Sequence, residues 1–377
     1  MIVRDIERKT TIVKGGEAPT MEIFKEMERR GHEQIIFNYD KASGLKAIIA
    51  IHDTTLGPAL GGCRMWPYST EDAALEDVLR LSEGMTYKAA VAGLDYGGGK
   101  AVMIADPAQA KSEALFRALG RFIETLNGRF STGEDVGTTG DDFVYSLRET
   151  KHLVGLPKAY GGAGDTGDIT AEGVINAIHA ALMYRFGNTS LEGRKIAIQG
   201  LGKVGYHVAK RALQEGGVVV AADINPQLVG KIVSELGIEP ADPWAILETP
   251  CDVLAPCALG NVINEETIDK LQCQIVAGSA NNQLKDPSFG DRLQERGITY
   301  APDFIANAGG LIQVADEIQG YRSERVHHQV DNIYDLLLTV FHQAEATHQS
   351  TATVAMHMVE ERIALYHAIH RIYTKAP

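Results

Sequence analysis

Ile196-Ala197-Ile198-Gln199-Gly200-Leu201-Gly202-Lys203-Val204-Gly205 is a short apolar run that ends in a G-x-G-x-x-G spacing. The apolar half predicts a buried strand, and the glycine half predicts a turn that opens a helix. Glycines at these positions permit a tight turn, let backbone N–H groups approach a pyrophosphate and allow close helix–strand packing, with the helix N-terminus facing the anion. The triplet alone is weak, but Asp223 stands 23 residues after Gly200, at the end of the next β-like run, residues 218–222. A carboxylate there accepts hydrogen bonds from a ribose diol and repels a 2′-phosphate, and Ile224-Asn225-Pro226 supplies no arginine to receive one. Gly200, Gly202, Lys203, Val204, Gly205 and Asp223 are therefore assigned to a cofactor site that takes NAD in preference to NADP. The competing reading, a packing turn with an incidental aspartate, does not account for the strand before the motif and the helix after it.

The pattern continues outward. Residues 194–199, 218–222, 253–255 and 275–277 are short buried-looking strands separated by helix-sized segments, and residues 170–186 are helical. This is doubly wound β-α-β material. Upstream, residues 21–30 have helical spacing, and residues 34–39 and 45–52 read as a hairpin around the 40–44 turn. Thr70-Glu71-Asp72 opens a helix over 71–86, and a second helix covers 112–126. Between the two, Gly97-Gly98-Gly99-Lys100 leads into a β-like run at 101–105.

Residues 156–167 are the densest cluster of turn formers and predict a hinge beside a cleft. The expected organisation is an α/β protein of two domains: an arm over 1–20, a substrate and oligomerisation domain over 21–155 joined by residues from about 340 to 377, and the NAD-binding domain over 168–339. The last 45 residues or so return to long helical periodicity.

Composition narrows the function classes. At 377 residues and 45% hydrophobic content the chain is long enough for two or three cored domains. With 36 Lys+Arg against 49 Asp+Glu the net charge is −13, which repels nucleic-acid backbones and acidic membranes. No run approaches the ~18 apolar residues of a membrane span, and the N-terminus has no apolar signal segment. A soluble cytoplasmic protein is expected. Cys63, Cys251, Cys257 and Cys273 match no zinc or redox spacing and are expected to be free thiols, with no metal site.

A dinucleotide domain fixes hydride chemistry and leaves the substrate to the other half. Lys88 and Lys100 lie among glycines and apolar residues, where desolvation and a neighbouring cation lower an ammonium pKa toward catalytic use. Both could equally snorkel to solvent. Asp135, in a polar loop after a helix, is either a proton carrier or a turn former. Asn307 is a turn residue or an amide aimed at a ligand.

The segments GPALGGCRM (57–65), GMTYK (84–88), GGGK (97–100), LNGRFSTGEDVGTT (126–139), QGLGKVG (199–205), APCALG (255–260), GSANNQL (278–284) and NAGGLIQVADE (307–317) together resemble the amino-acid dehydrogenase family that includes leucine and phenylalanine dehydrogenases. The resemblance runs in motif order from about residue 21 to the C-terminal helices. It implies NAD-dependent oxidative deamination of an L-amino acid to a 2-oxo acid and ammonia, by a homo-oligomer.

By motif, Lys88 would bind the substrate carboxylate, Lys100 would polarise water and the developing imine, and Asp135 would shuttle protons. Asn307 would position substrate or nicotinamide, and Gly61 would let backbone approach the carboxylate. Thr170 would face the nicotinamide amide, with Cys257, Ala258 and Asn282 at the rim of the cofactor crevice. Leu60, Gly133, Leu311 and Val314 would wall the side-chain pocket, against the plainer reading of Leu60, Leu311 and Val314 as core.

Gly133, where the leucine branch carries alanine, together with Leu311 and Gln313, resembles the phenylalanine branch; Glu134 and Val136 resemble the leucine branch. The implied substrate is L-phenylalanine, with branched-chain L-amino acids as the alternative. A 2-hydroxyacid dehydrogenase and a non-catalytic NAD-binding protein are the competing classes. The first would need a histidine–carboxylate pair, and the second would bind cofactor without turnover.

Overall fold

A computed structural model describes residues 21–369. The expected arm over 1–20 and the last residues, 370–377, lie outside the described residues. The fold consists of two six-stranded sheets, each covered by helices on both faces.

The first sheet is mixed. After helix α1 (Ile23–Arg30), strands β1 (Gln34–Asp40) and β2 (Leu45–Asp53) form the expected antiparallel hairpin. Strands β3 (Ala59–Leu60) and β4 (Cys63–Trp66), helix α2 (Glu71–Val91), strand β5 (Gly97–Ile104), helix α3 (Glu113–Glu124), strand β6 (Phe130–Ser131) and helix α4 (Gly140–Ser146) complete the domain. The strand order is β1-β2-β5-β3-β6, with β4 paired alongside β5.

Alternation along the strands sends side chains to two cores. Leu45, Ile49, Ile51 and Met103 pack on Phe116, Leu119 and Phe122 of α3, while Ile48, Ala50 and Val102 pack on Leu75, Val78 and Leu79 of α2. Each such fully buried side chain is worth about 1.5–3 kcal/mol.

Two local expectations are corrected. The β-like run at 101–105 begins earlier, because the three glycines are themselves in β5. A Cβ on Gly98 would stand 2.1 Å from Thr86 Oγ1, so the strand lies against α2 only because side chains are missing. Helix α2 does not stop at residue 86 but continues through Tyr87 and Lys88 to Val91, its last turn held by the buried Ala89, Ala90 and Val91. Thr70 caps its N-terminus, accepting from Ala73 N at 3.1 Å.

The second sheet is entirely parallel. Helix α5 (Gly167–Phe186) leads into β7 (Lys195–Gln199), α6 (Lys203–Gln214), β8 (Val218–Ala222), α7 (Pro226–Leu236), β9 (Glu239–Pro240), β10 (Val253–Pro256), β11 (Ile275–Val276), α8 (Ser288–Glu295) and β12 (Thr299–Tyr300). The order β9-β8-β7-β10-β11-β12 is that of a dinucleotide-binding fold, with its switch point between β7 and β10. Alternate residues again serve two cores: Ile196, Ile198 and Val219 on the α5 side, Ala197, Val220 and Leu254 on the other.

Short α9 (Asp303–Ala306), α10 (Gly309–Ile318), α11 (Ser323–Thr347) and α12 (Thr351–Ile369) close the chain. Phe341 of α11 packs near Tyr184 of α5, whereas α12 reaches the first domain, where Arg362 binds the Ala90 carbonyl and pairs with Asp95 at 2.9 Å. The segment expected to be a hinge runs between the two sheets. Gly155 N, just before it, and Ala163 N, within it, donate to the Glu317 carboxylate of α10, at 2.7 and 2.8 Å.

Candidate active site

The cleft between the sheets holds a cavity of about 390 Å³. Leu60, Gly61, Lys88, Lys100, Gly133 and Asp135 line it from the first domain, and Thr170, Lys203, Val204, Asn307, Leu311 and Val314 from the second. The cavity thus gathers twelve of the expected residues, which are spread over more than 250 positions of sequence.

Each polar group is placed by its element. Lys100, on central strand β5, is buried, and its Nζ lies 3.0 Å from Asp135 Oδ2. Asp135 is fixed by its own loop: its N–H donates to Thr138 Oγ1 at 2.9 Å, and that hydroxyl donates to the Cys63 carbonyl. Burial would raise the Asp135 pKa, but the adjacent Lys100 and Arg64 outweigh it and hold the carboxyl below the usual aspartate value.

Lys88, in the last turns of α2, donates to Asn281 Oδ1 at 3.0 Å across the cleft. Desolvation, helped by Lys100, pulls its ammonium down to about 8 despite the opposing charges of Asp303 and Asp135. Asn307 donates from Nδ2 to the Ser279 carbonyl and to Asn281 Oδ1, at 3.0 and 2.9 Å. Its buried Oδ1 has no partner, which suits an acceptor waiting for a ligand N–H.

The cofactor side fits NAD. Gly200 has φ +93°, a backbone only glycine adopts easily, and a Cβ there would strike Ala258. No atom stands within 4 Å of where a Gly202 Cβ would be, leaving a cradle at the N-terminus of α6. A Cβ on Gly205 would meet Gly200 O at 2.0 Å and Cys257 Cβ at 3.3 Å, so helix, turn and the loop after β10 pack without side chains between them. Asp223, at the end of β8, is oriented by Leu201 N and Asn225 N, both 2.9 Å from its oxygens. The Thr170 hydroxyl donates to the Thr166 carbonyl at 2.7 Å, so toward a ligand it can only accept, as the carboxamide N–H₂ of a nicotinamide would require. Lys203 lies 3.7 Å from Glu134 of the first domain and 3.3 Å from Asp165.

Matches to the Glu/Leu/Phe/Val dehydrogenase dimerisation domain over residues 32–152, and to the Glutamate/Leucine/Phenylalanine/Valine dehydrogenase domain over 161–242 and 231–369, cover most of the chain. The chain belongs to this dehydrogenase family. It is 51% identical over 343 residues to a leucine dehydrogenase of Geobacillus stearothermophilus, covering 91% of this chain and 94% of that one. It is 56% identical over 320 residues to a phenylalanine dehydrogenase of Lysinibacillus sphaericus, covering 83% and 84%. Among solved structures, L-tryptophan dehydrogenase from Nostoc punctiforme superposes with a TM-score of 0.79 at 43% identity, covering 91% and 99%. The chain is therefore an NAD-dependent oxidoreductase acting on the CH–NH₂ group of an amino acid.

Three residue expectations change in detail. Gly61 does not offer a free N–H, since it donates to the Ser131 carbonyl at 3.2 Å; a Cβ there would stand 1.9 Å from Gly99 O. Gly133 lines the cavity, but a Cβ on it would meet Val154 O at 2.3 Å, so its missing methyl is backbone clearance and not added pocket volume. Asn282 does not line this cavity; it borders an adjoining one of about 300 Å³, and Asn281 supplies the amide in the cleft.

Sequence reasoning also passed over Gly62 and Arg64. A Cβ on Gly62 would stand 2.9 Å from Asp135 Cβ and 3.3 Å from Lys100 Nζ. Both residues lie inside the GPALGGCRM segment, which was legible as a motif but carried no chemistry until its neighbours were known.

Proposed function

We propose that the protein catalyses the reversible oxidative deamination of L-phenylalanine to phenylpyruvate, ammonia and NADH. The observation that carries this reading is the convergence of Lys88, Lys100 and Asp135 on one cavity, opposite Thr170 and the α6 N-terminus. Lys88 pairs with the substrate carboxylate. Asp135 takes the proton of the substrate ammonium, which frees the amine lone pair to form the imine as hydride leaves Cα. When bound, NAD accepts that hydride. Lys100 polarises the water that adds to the imine carbon; Asp135 returns its proton to the nitrogen and takes one from the added water, ammonia leaves as the C–N bond breaks, and the remaining hydroxyl proton and that on Asp135 pass to solvent. The unpartnered Asn307 Oδ1 accepts from the substrate amine or the nicotinamide amide.

The side chain is placed against Leu60, Val154, Leu311 and Val314, which put no charge at that end of the cavity and so disfavour glutamate. The 56% identity to a phenylalanine dehydrogenase and the Leu311 position support the aromatic substrate. Leucine is the second reading, favoured by the 51% identity over a longer stretch and by Glu134 and Val136. A homo-oligomeric enzyme fits the match to a dimerisation domain. No described helix is long and apolar enough to cross a membrane.

The test is the initial rate of NADH formation at alkaline pH with L-phenylalanine, L-leucine, L-valine, L-tryptophan, L-glutamate and L-lactate. The highest kcat/KM is expected with L-phenylalanine. A preference for leucine or valine leaves the chemistry and overturns the pocket assignment; turnover of lactate alone, or of nothing, overturns the amine chemistry.

A further inference from the structure

Arg64 lies in β4, whose parallel pairing with β5 sets Cys63 beside Ala101 and Arg64 beside Val102, next to the strand position of Lys100. Its Nε donates to Asp135 Oδ2 at 3.1 Å, the same oxygen that Lys100 Nζ approaches at 3.0 Å. Its Nη1 donates to Asp77 Oδ2 at 2.9 Å. Asp77 is held in turn by the Tyr68 hydroxyl at 2.6 Å and by Arg80 at 3.0 Å. Asp77 and Lys88 are eleven residues apart on α2, three helical turns, and so lie on one face of the helix. Arg64 borders the adjoining cavity on the α2 side, which Lys88, Lys100, Asp135 and Asn281 also line; its hydrogen bonds go to Asp135 and Asp77, which places it to act through Asp135.

We propose that Arg64 is a positioning residue for the reaction, a permanently charged brace between Asp77 and Asp135 that holds the acid–base carboxylate in place while Lys100 turns to the substrate. The physical need is specific. Lys100 serves both as the counter-ion of Asp135 and as the group that polarises water and imine, and an ammonium cannot fully do both at once. A guanidinium stays protonated throughout the pH range of the enzyme, and its fork satisfies two carboxylates in fixed directions, which a lysine cannot reproduce. Glycine at position 62 gives Asp135 and Lys100 the room to share this arrangement.

The charged and titratable groups around Asp135 are Lys100 from β5, Arg64 and the buried, neutral Cys63 thiol from β4, the neutral Tyr68 phenol from the segment after it, Lys88 and Asp77 from α2, and its chain neighbour Glu134. Among the described residues, only Lys100 and Arg64 form ion pairs with its carboxylate. Loss of Arg64 therefore leaves Asp135 easier to protonate and Lys100 more firmly tied to it.

This inference rests on Asp135 being the acid–base group. It is tested on the full-length enzyme with L-phenylalanine and L-leucine, by measuring kcat and kcat/KM from pH 3 to 11 (about the range in which carboxylate and ammonium groups titrate). Arg64→Gln and Arg64→Met are compared with Arg64→Lys and Asp135→Asn, with thermal unfolding and NADH fluorescence as controls for fold and cofactor binding. With either neutral variant, whichever folds, the acid limb is expected to move up by about one pH unit or more, the loss of one close cation. kcat falls and KM for the amino acid changes little, and Arg64→Lys restores part of the shift. Added to Asp135→Asn, Arg64→Gln is expected to cost less than about threefold more, because the two act as a unit. An unmoved acid limb, or losses that multiply in the double variant, with Asp135→Asn itself strongly impaired but measurable, overturns the brace alone. Full turnover by Asp135→Asn overturns the acid–base reading and the brace together.

Discussion

The Lys88 ammonium and the Asn281 amide oxygen meet at 3.0 Å although 193 residues separate them, one on α2 of the first domain and the other in the loop after β11 of the second. The contact holds Lys88 across the cleft, and in the proposed reaction the substrate carboxylate would take the place of Asn281. Because desolvation sets the Lys88 pKa at about 8, the free enzyme loses this charge as pH rises through that value. 3-Phenylpropionate, a carboxylate without an amine, is accordingly expected to inhibit less well above pH about 8, and Lys88→Ala to abolish that dependence while raising KM for the amino acid. Inhibition constants measured from pH 6 to 10 check this; a profile flat across pH 8 in the unaltered enzyme contradicts it.

Lys100→Ala is expected to lower kcat by about 10²–10⁴-fold with the fold intact. Arg64 remains to neutralise Asp135, so the carboxylate is not left buried and unpaired. Steady-state kinetics alongside a thermal melt separate the two effects, and near-normal kcat would remove Lys100 from the mechanism.

Gly133→Ala is expected to destabilise the protein by about 1–3 kcal/mol, because its methyl would stand 2.3 Å from Val154 O and the loop must shift. Rates on phenylalanine and leucine should then both fall. A clean switch to leucine with an unchanged Tm would show that the methyl enters the cavity after all.

Asp223→Ser removes the carboxylate that would repel a 2′-phosphate. Since a like-charge contact costs several kcal/mol, the ratio of kcat/KM for NADP to that for NAD is expected to rise about tenfold or more. Paired assays with the two cofactors decide it, and an unchanged ratio would place the ribose elsewhere.

Glu317→Gln replaces an acceptor of two backbone N–H groups with a side chain that can serve only one through its oxygen. A loss of about 1–3 kcal/mol is expected, read from denaturant unfolding. The same contacts anchor the start and the middle of the segment proposed as a hinge, so the variant should also widen the solution-scattering difference between the free enzyme and its complex with NAD and 3-phenylpropionate. Identical scattering curves with and without ligands would argue against closure about this segment.

Much of the site was legible because its chemistry is local in sequence. The G-x-G-x-x-G turn and Asp223 at the next strand end carry their meaning within a few neighbours, whereas the two lysines in charge-poor segments were marked as candidates and took roles only through the resemblance. Arg64, Gly62 and Asn281 carry none on that scale. Arg64 is an ordinary surface-type residue until β4 pairs with β5 and brings it within 3.1 Å of Asp135, which lies 71 positions away. Gly133 shows the reverse error. The resemblance, with alanine there in the leucine branch, implied pocket space, and only the placement of Val154, brought in by an isolated bridge between Thr132 and Leu153, shows what the missing methyl avoids.

Sequence alone determined the parallel sheet, the turn that receives a dinucleotide and the residue types available for amine chemistry, since periodicity and backbone freedom act over a few residues. The tertiary structure alone decided that Lys100 and Arg64 share a single oxygen of Asp135, that Lys88 faces Asn281 and that Gly133 is clearance for a carbonyl. Ion pairing and steric exclusion act over 3–4 Å in space, and no spacing along the chain encodes distances between strands that meet only after folding.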